Sequence, residues 1–214
     1  GDLSVAVAGR KVFVPEEAVV VSNLRRLGAD VHPYRSLPDP GEEVHFSDHF
    51  WSELTGRPGP APPPSLPGRS GRREGWILHP GSGSASKNRD PEELATLLHA
   101  LSGPVTILEG PADRAAVASL LERSGGAVRS SVARDLDLAG LLDLLGSSVG
   151  FIGHDTGPAH VAAALGIPTL ALFRSTDPRR WAPRGPCVVV GPSAEPVSRS
   201  LERLLRAMAA FRGK

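Results

Sequence analysis

One cysteine, Cys187, is all that the chain carries, so no internal disulfide can staple it and a reducing compartment is compatible. Net charge is nearly absent as well, +1 over 214 residues. That removes the electrostatic basis expected of a nucleic-acid binder. No apolar run reaches the roughly 18 residues of a membrane span, and nothing resembles a signal peptide. A cytoplasmic protein is expected, with peripheral contact at the inner face of a membrane left open. The 24 glycines and 21 prolines stay below the share of a low-complexity chain. There is no P-loop and no G-x-G-x-x-G run. What remains is ordinary for a globular protein of one large or two small domains, 40% hydrophobic and 22% charged.

Residues 56 to 73, "GRPGPAPPPSLPGRSGRR", divide the chain. Proline at 58, 60, 62, 63, 64 and 67 favours extended backbone and removes donors that a sheet would need, so this stretch reads as a linker. Beyond it, short strands and helices alternate. "WILH" (76–79), "VTIL" (105–108), a short strand near 127–129, "VGFIG", "TLALF" and "CVVV" (187–190) read as strands. Helices are expected after Asp90-Pro91-Glu92-Glu93, with Asp90 as cap and Glu93 completing a capping box, over 112–124, and through Leu138, Leu141, Leu142 and Leu145 on one face. A further helix follows His154, and a last one closes the chain over 196–211. The pattern predicts an α/β fold with a parallel sheet, whose ligands bind beyond the carboxyl ends of the strands. Before the linker, "SVAVAG" and "KVFVP" read as strands, and Glu16–Leu27 and His45–Leu54 as helices, a reduced α/β portion over 1–55.

The polar chemistry gathers at the predicted strand ends. In "FIGHDTGPAHVAAALGIPTLALF" (151–173), His154, Asp155, Thr156, Gly157, Pro158 and His160 crowd the mouth of one short helix. Helix N-termini suit phosphate, Gly157 permits close approach, and His160 stands one turn in, able to donate to the same anion. Thr156 or Gly157 serves as N-cap, and Asp155 orients its neighbours or accepts from a sugar hydroxyl. In "HPGSGSASKN" (79–88), Ser84 is among several hydroxyls and Lys87 is a cation able to meet a diphosphate. Asp113, in "EGPADRA", could receive ribose hydroxyls or a base, or act as a first-turn carboxylate.

"ILHPGSGSASKNRDPEELATLL", "TILEGPADRA" and "FIGHDTGPAHVAAALGIPTLALFRSTDPRRWAP" together resemble the carboxyl-terminal half of the glycosyltransferase family 9 enzymes, the ADP-heptose heptosyltransferases of lipopolysaccharide core assembly. The resemblance covers about residues 75 to 190. It implies the GT-B fold, with 74–214 as a Rossmann-like donor-binding domain and 1–55 on the acceptor side. It also implies a donor site for a nucleotide diphosphate sugar, built from Ser84, Lys87, Asp113, Asp155, Thr156, Gly157 and His160. The family often has an aromatic residue just after the lysine, where this chain has Asn88-Arg89.

The resemblance further implies inverting transfer of a heptose-like sugar, without metal or other cofactor, to a lipopolysaccharide, glycan or lipid-linked acceptor. A partner subunit or oligomer would supply what the front portion lacks. The catalytic base stays unassigned among Asp2, Glu16, Glu17, Asp48 and His49. Two other classes remain: a non-catalytic nucleotide-sugar binding module, and a nucleotide-sugar epimerase. His45 and His49 lie at helical spacing and could bind a metal, though packing explains them as well. In the closing helix Val197, Leu201, Leu204, Leu205, Met208 and Phe211 share one side, which fits core packing or contact with an anionic membrane.

Overall fold

The computed structural model describes residues 8–39, 41–67, 71–125, 130–190 and 196–212. The chain separates into two compact units, Gly1–Pro62 and Pro63–Lys214, divided inside the proline-rich stretch. Each half of that stretch is held within its own unit. Ala61 N–H donates to Asp48 Oδ1 at 2.6 Å in the first unit, and Leu66 N–H to the Ala164 carbonyl at 2.8 Å in the second.

The first unit holds β1 (Lys11–Pro15), α1 (Ala18–Arg26), β2 (Asp30–Tyr34) and α2 (Phe46–Thr55). The two strands pair in parallel from Lys11↔Asp30 to Pro15↔Tyr34, over a small core of Val14, Val21 and Val31. β2 is absent from the sequence reading. Its run, DVHPY, contains two poor strand formers, Asp30 and Pro33, and Pro33 is tolerated because a strand in a two-stranded ribbon is an edge. Residues 1–7, most of the expected "SVAVAG" strand, and Asp2 with them, lie outside the described residues. Both histidines of the candidate metal pair have structural partners. His45 Nδ1 accepts from Ser47 N–H as the cap of α2, and buried His49 meets the Arg35 carbonyl at 2.8 Å.

The second unit runs β3 (Trp76–His79), a 3-10 turn (Ala85–Lys87), α3 (Pro91–Ala100), β4 (Val105–Glu109), α4 (Arg114–Arg123), β5 (Ser130–Arg134) and α5 (Leu138–Gly146). It continues with β6 (Gly150–His154), α6 (Gly157–Ala164), β7 (Thr169–Leu172), α7 (Pro178–Trp181), β8 (Cys187–Val190) and α8 (Val197–Arg212). All six strands are parallel, in the order β5-β4-β3-β6-β7-β8. The chain order therefore reverses between β3 and β6, and the crevice beyond their carboxyl ends is where such a sheet binds ligands.

Side chains alternate across the sheet. Trp76 and Leu78 of β3 face a core shared with α3, α4 and α8, while Ile77 faces Phe151, Leu145, Ala159 and Ala162 beneath α5 and α6. Gly150 of β6 sits directly beside Trp76, and a β-carbon on it would stand 2.3 Å from the indole. Gly150→Ala is expected to destabilise this unit by about 2 kcal/mol through overpacking, read by chemical denaturation.

Several boundaries differ from the sequence pattern. The strand expected near 127–129 falls outside the described residues, and the paired strand is Ser130–Arg134, whose serines hide it from a propensity reading. Asp90 caps α3 by accepting from Glu92 N–H at 2.9 Å, but Glu93 does not complete a capping box: it pairs with Arg89 at 2.6 Å. Leu138 opens α5 and is 67% exposed, so the buried face of that helix begins with Leu141. In α8, Val197, Leu201, Leu204 and Met208 pack into the core while Leu205 is exposed, and the Phe211 side chain lies outside the described residues. Among the described residues no helix is long and apolar enough to cross a membrane.

Candidate functional site

β3 and β6 end side by side, Leu78 against Ile152 and His79 against Gly153, and deliver two polar loops to the reversal point. The loop after β3 is tightly closed. The Ser82 hydroxyl lies 2.6 Å from both Asn88 Oδ1 and the Ser84 carbonyl, and Arg174 donates to the Asn88 carbonyl at 2.6 Å. Arg89 N–H donates to His154 Nε2 at 2.8 Å, which fixes the His154 proton on Nδ1, facing the Gly81 carbonyl at 3.4 Å. Burial pushes His154 down to about 4, so it is a neutral strut between the loop and β6. Asn88-Arg89, the departure from the family pattern, are thus the residues that close this loop.

Lys87 closes the 3-10 turn and reaches across to the loop after β6. Its Nζ lies 3.0 Å from Asp155 Oδ2, which also accepts from the Thr176 hydroxyl at 2.8 Å. His160 Nε2 stands 3.8 Å from Asp155 Oδ1. Burial pushes the Asp155 carboxyl up, but hydrogen bonding to His160, Lys87 and Thr176 and the charge of Lys87 outweigh it and hold it below the usual carboxylate range. Asp155 is therefore an anchor that presents two cationic or ionisable groups, Lys87 and half-exposed His160, at the first turn of α6. Thr156 is the N-cap of α6, with no hydrogen bond from its side chain to the helix backbone. Its hydroxyl donates instead to the His154 carbonyl at 3.3 Å and faces His79 Nδ1, also at 3.3 Å. Beside Gly157 the space is open, with nothing within 4 Å of where a β-carbon would stand.

A cleft of about 570 Å³ lies next to this turn, walled by His79, Ser82, Gly83, Asp113, Leu136 and Gly157 among others. Asp135, the one non-glycine residue with positive φ among those described (51°), stands at its edge. Asp113 forms part of the wall. Its Oδ2 is 2.8 Å from His79 Nε2 and accepts from Gly110 N–H at 3.0 Å. The His79 hydrogen bond holds the Asp113 carboxyl below its ordinary range against the pull of burial. Ser84 is exposed on the loop, 2.9 Å from Ser86 Oγ, and it is Ser82 and Gly83 that reach the cleft.

The structure thus brings Lys87, Asp155 and His160 into one cluster, joins Asp113 to Thr156 through His79, and leaves Ser84 outside both. His79, Thr176 and Asn88-Arg89 were not selected from the sequence. The signal for His79 is a polar residue closing an otherwise apolar strand, WILH, at the end where such sheets bind ligands. Of the candidate bases, Asp48 and His49 have the backbone partners given above, while Glu16 and Glu17 are exposed. Among the described residues no three His, Cys, Asp or Glu side chains gather as a metal site.

Residues 72–207, well over half of the chain, match the family model of glycosyltransferase family 9 (heptosyltransferase). The chain belongs to glycosyltransferase family 9. A Haemophilus influenzae relative described as "Putative glycosyltransferase" is 30% identical over 125 residues, covering 50% of this family 9 chain and 34% of the relative. Escherichia coli heptosyltransferase WaaC, solved with ADP, superposes over 95% of this chain and 74% of its own, with a TM-score of 0.68 at 15% identity. Escherichia coli ADP-heptose lipopolysaccharide heptosyltransferase II gives a TM-score of 0.55 at 21% identity over 67% of this chain and 49% of its own. These likenesses establish the α/β fold as that of the GT-B glycosyltransferases, with a Rossmann-like parallel sheet. The chain spans about a third of the Haemophilus relative and about half of heptosyltransferase II.

Proposed function

We propose that this family 9 chain binds a nucleotide diphosphate sugar at the β3/β6 reversal point, with an ADP-sugar as donor and a heptose-like unit as the transferred group. The observation that carries the reading is the Lys87–Asp155–His160 cluster set against the amino terminus of α6. Helix N–H groups, a lysine and an imidazole converge there on space left open beside Gly157. The neighbouring cleft of about 570 Å³, with Leu136, Leu141 and Pro111 in its walls, suits the nucleoside. Family membership and the name of heptosyltransferase II, which specifies ADP-heptose, favour the same donor.

The reaction we infer is inverting transfer. The acceptor hydroxyl, on a lipopolysaccharide or other glycan, gives its proton to a base as its oxygen attacks the anomeric carbon. The bond to the nucleotide diphosphate breaks, and Lys87, His160 and the α6 terminus stabilise the departing charge. These groups supply that stabilisation without a metal. Asp155 keeps Lys87 and His160 in place.

Calorimetric titration with ADP, UDP and GDP tests this reading. ADP is expected to bind selectively, with its affinity lowered at least tenfold by His160→Ala, a loss of about 1.4 kcal/mol. No binding by any of the three nucleotides overturns the donor site. Donor binding with neither transfer nor slow donor hydrolysis would instead mark a non-catalytic binding module.

A further inference from the structure

Two buried groups and a half-buried hydroxyl form a continuous hydrogen-bonded chain whose protons the donor site, as so far described, does not use. Asp113 Oδ2 meets His79 Nε2 at 2.8 Å, and His79 Nδ1 meets the Thr156 hydroxyl at 3.3 Å. The His79 and Asp113 side chains are only 6% and 7% exposed. His79 ends β3, Asp113 is the N-cap of α4 and Thr156 is the N-cap of α6, so the chain is set by where the strands hand over to the helices. Its free end, Thr156, is the N-cap of α6, where the proposed diphosphate sits.

The Thr156 hydroxyl has one proton and two lone pairs. Without an anion, that proton goes to the His154 carbonyl or to His79 Nδ1. An anion at the α6 terminus is the stronger acceptor and draws the proton outward. The Thr156 oxygen then needs a donor behind it, and His79 Nδ1 can be that donor only if it carries a proton. Nε2 must keep its own proton for Asp113, so the imidazole becomes imidazolium, with the Asp113 carboxylate as its counter-ion.

We propose that His79 is a proton-accepting positioning residue: binding of the nucleotide-sugar diphosphate takes up one proton at His79 Nδ1, and the resulting Asp113–His79–Thr156 chain turns the Thr156 hydroxyl toward the phosphate. The inference rests on the donor-site reading above. Its consequence is chemical. The leaving diphosphate meets a positive charge lodged one residue behind the helix terminus, supplied by the solvent proton rather than by a further basic side chain.

The groups facing His79 are few. Asp113 comes from the start of α4, Thr156 from the α6 cap and His154 from β6, and Glu109 and Asp135 share the cleft. His154 cannot be the acceptor of the new proton, since its Nε2 already accepts from Arg89 N–H and its Nδ1 proton is in place. His160, beside Asp155, is the remaining histidine of the site, and the experiment separates it from His79.

The measurement is calorimetry of ADP-ribose binding in two buffers of different ionisation enthalpy, which counts protons exchanged on binding. The phosphates of ADP-ribose do not titrate near neutral pH, so any uptake belongs to the protein. Uptake of about one proton is expected, with affinity falling up to tenfold per pH unit as pH rises. His79→Gln and Thr156→Val should each abolish the uptake, Asp113→Asn should reduce it, and His160→Asn should retain it while weakening binding. Thr156→Val leaves the His79–Asp113 pair intact, so it decides the matter even if His79→Gln fails to fold. Binding without uptake, uptake that survives His79→Gln or Thr156→Val, or uptake that disappears with His160→Asn overturns the inference and leaves the donor site standing. Absence of any nucleotide binding overturns both.

Discussion

Gly81→Ala should collapse the proposed donor site from within, at an expected cost of about 3 kcal/mol in stability, the scale of breaking a buried charged pair. A β-carbon at Gly81 would stand 2.0 Å from Asp113 Oδ1, 2.4 Å from its carboxyl carbon and 2.6 Å from its β-carbon. The last contact is with the root of the side chain, so no rotation of the carboxylate relieves it. Asp113 must leave, and His79 Nε2 and Gly110 N–H lose their acceptor together. Gly110 closes the same pocket from the other side, with a β-carbon there 2.9 Å from Asp113 Oδ2. Two glycines are therefore needed to hold one aspartate. The check is a double-mutant cycle by chemical denaturation. Asp113→Gly should cost clearly less in the Gly81→Ala background than in the wild type, because the clash and the lost pair are then one event. Additive losses would mean that Gly81 acts through something other than Asp113.

Asp155→Ala carries the second large effect, expected at about 2 to 3 kcal/mol in stability together with a loss of ADP binding beyond detection by calorimetry. The side chain is 7% exposed and is contacted by Lys87, Thr176 and His160. Removing it releases both groups that face the proposed diphosphate. Lys87 keeps about a third of its side chain in solvent, which places the stability cost below that of a fully buried pair. A pH series gives an independent reading. The Asp155 carboxyl is held below its ordinary value in the folded protein, so the unfolded chain binds the proton more readily. Its contribution to stability is complete above the unfolded value, about 3.9, and is lost as pH falls through the lower folded value. Asp155→Ala should therefore lower stability by its full amount above about pH 4 and by progressively less below it, which flattens the acid limb of the stability curve. An unchanged acid limb would show that the contacts of the Asp155 carboxylate with Lys87, Thr176 and His160 contribute nothing net to folding.

Much of this molecule was legible in the chain. The apolar runs of WILH, VTIL and TLAL are strands because they are buried on both faces, a condition that composition alone signals. Asp90-Pro91 starts a helix where a cap and a missing N–H make starting easy. The loops of the candidate site stand out in the chain because polar residues placed directly after apolar strands have few structural uses. What was missed failed for physical reasons. β2 contains a proline, and β5 opens on two serines, so neither carries the β-branched run that a strand reading relies on. Glu93 reads as a capping-box residue until Arg89 is seen to claim it. Thr156 reads as a capping hydroxyl, yet its side chain turns away from the helix toward His79, 77 positions earlier in the chain.

The sequence by itself determined the α/β class, the order of the main strands and helices in the second unit, and which loops carry the polar residues of the candidate site, because each of these follows from local periodicity and local polarity. Tertiary structure alone decided how those polar residues are paired. Lys87 with Asp155, Asp113 with His79 and His79 with Thr156 are set by the reversal that lays β3 beside β6 and by glycines whose missing β-carbons leave room for a carboxylate. Pairing between residues so far apart in the chain depends on strand order and close packing, and neither is written in any single stretch of the sequence.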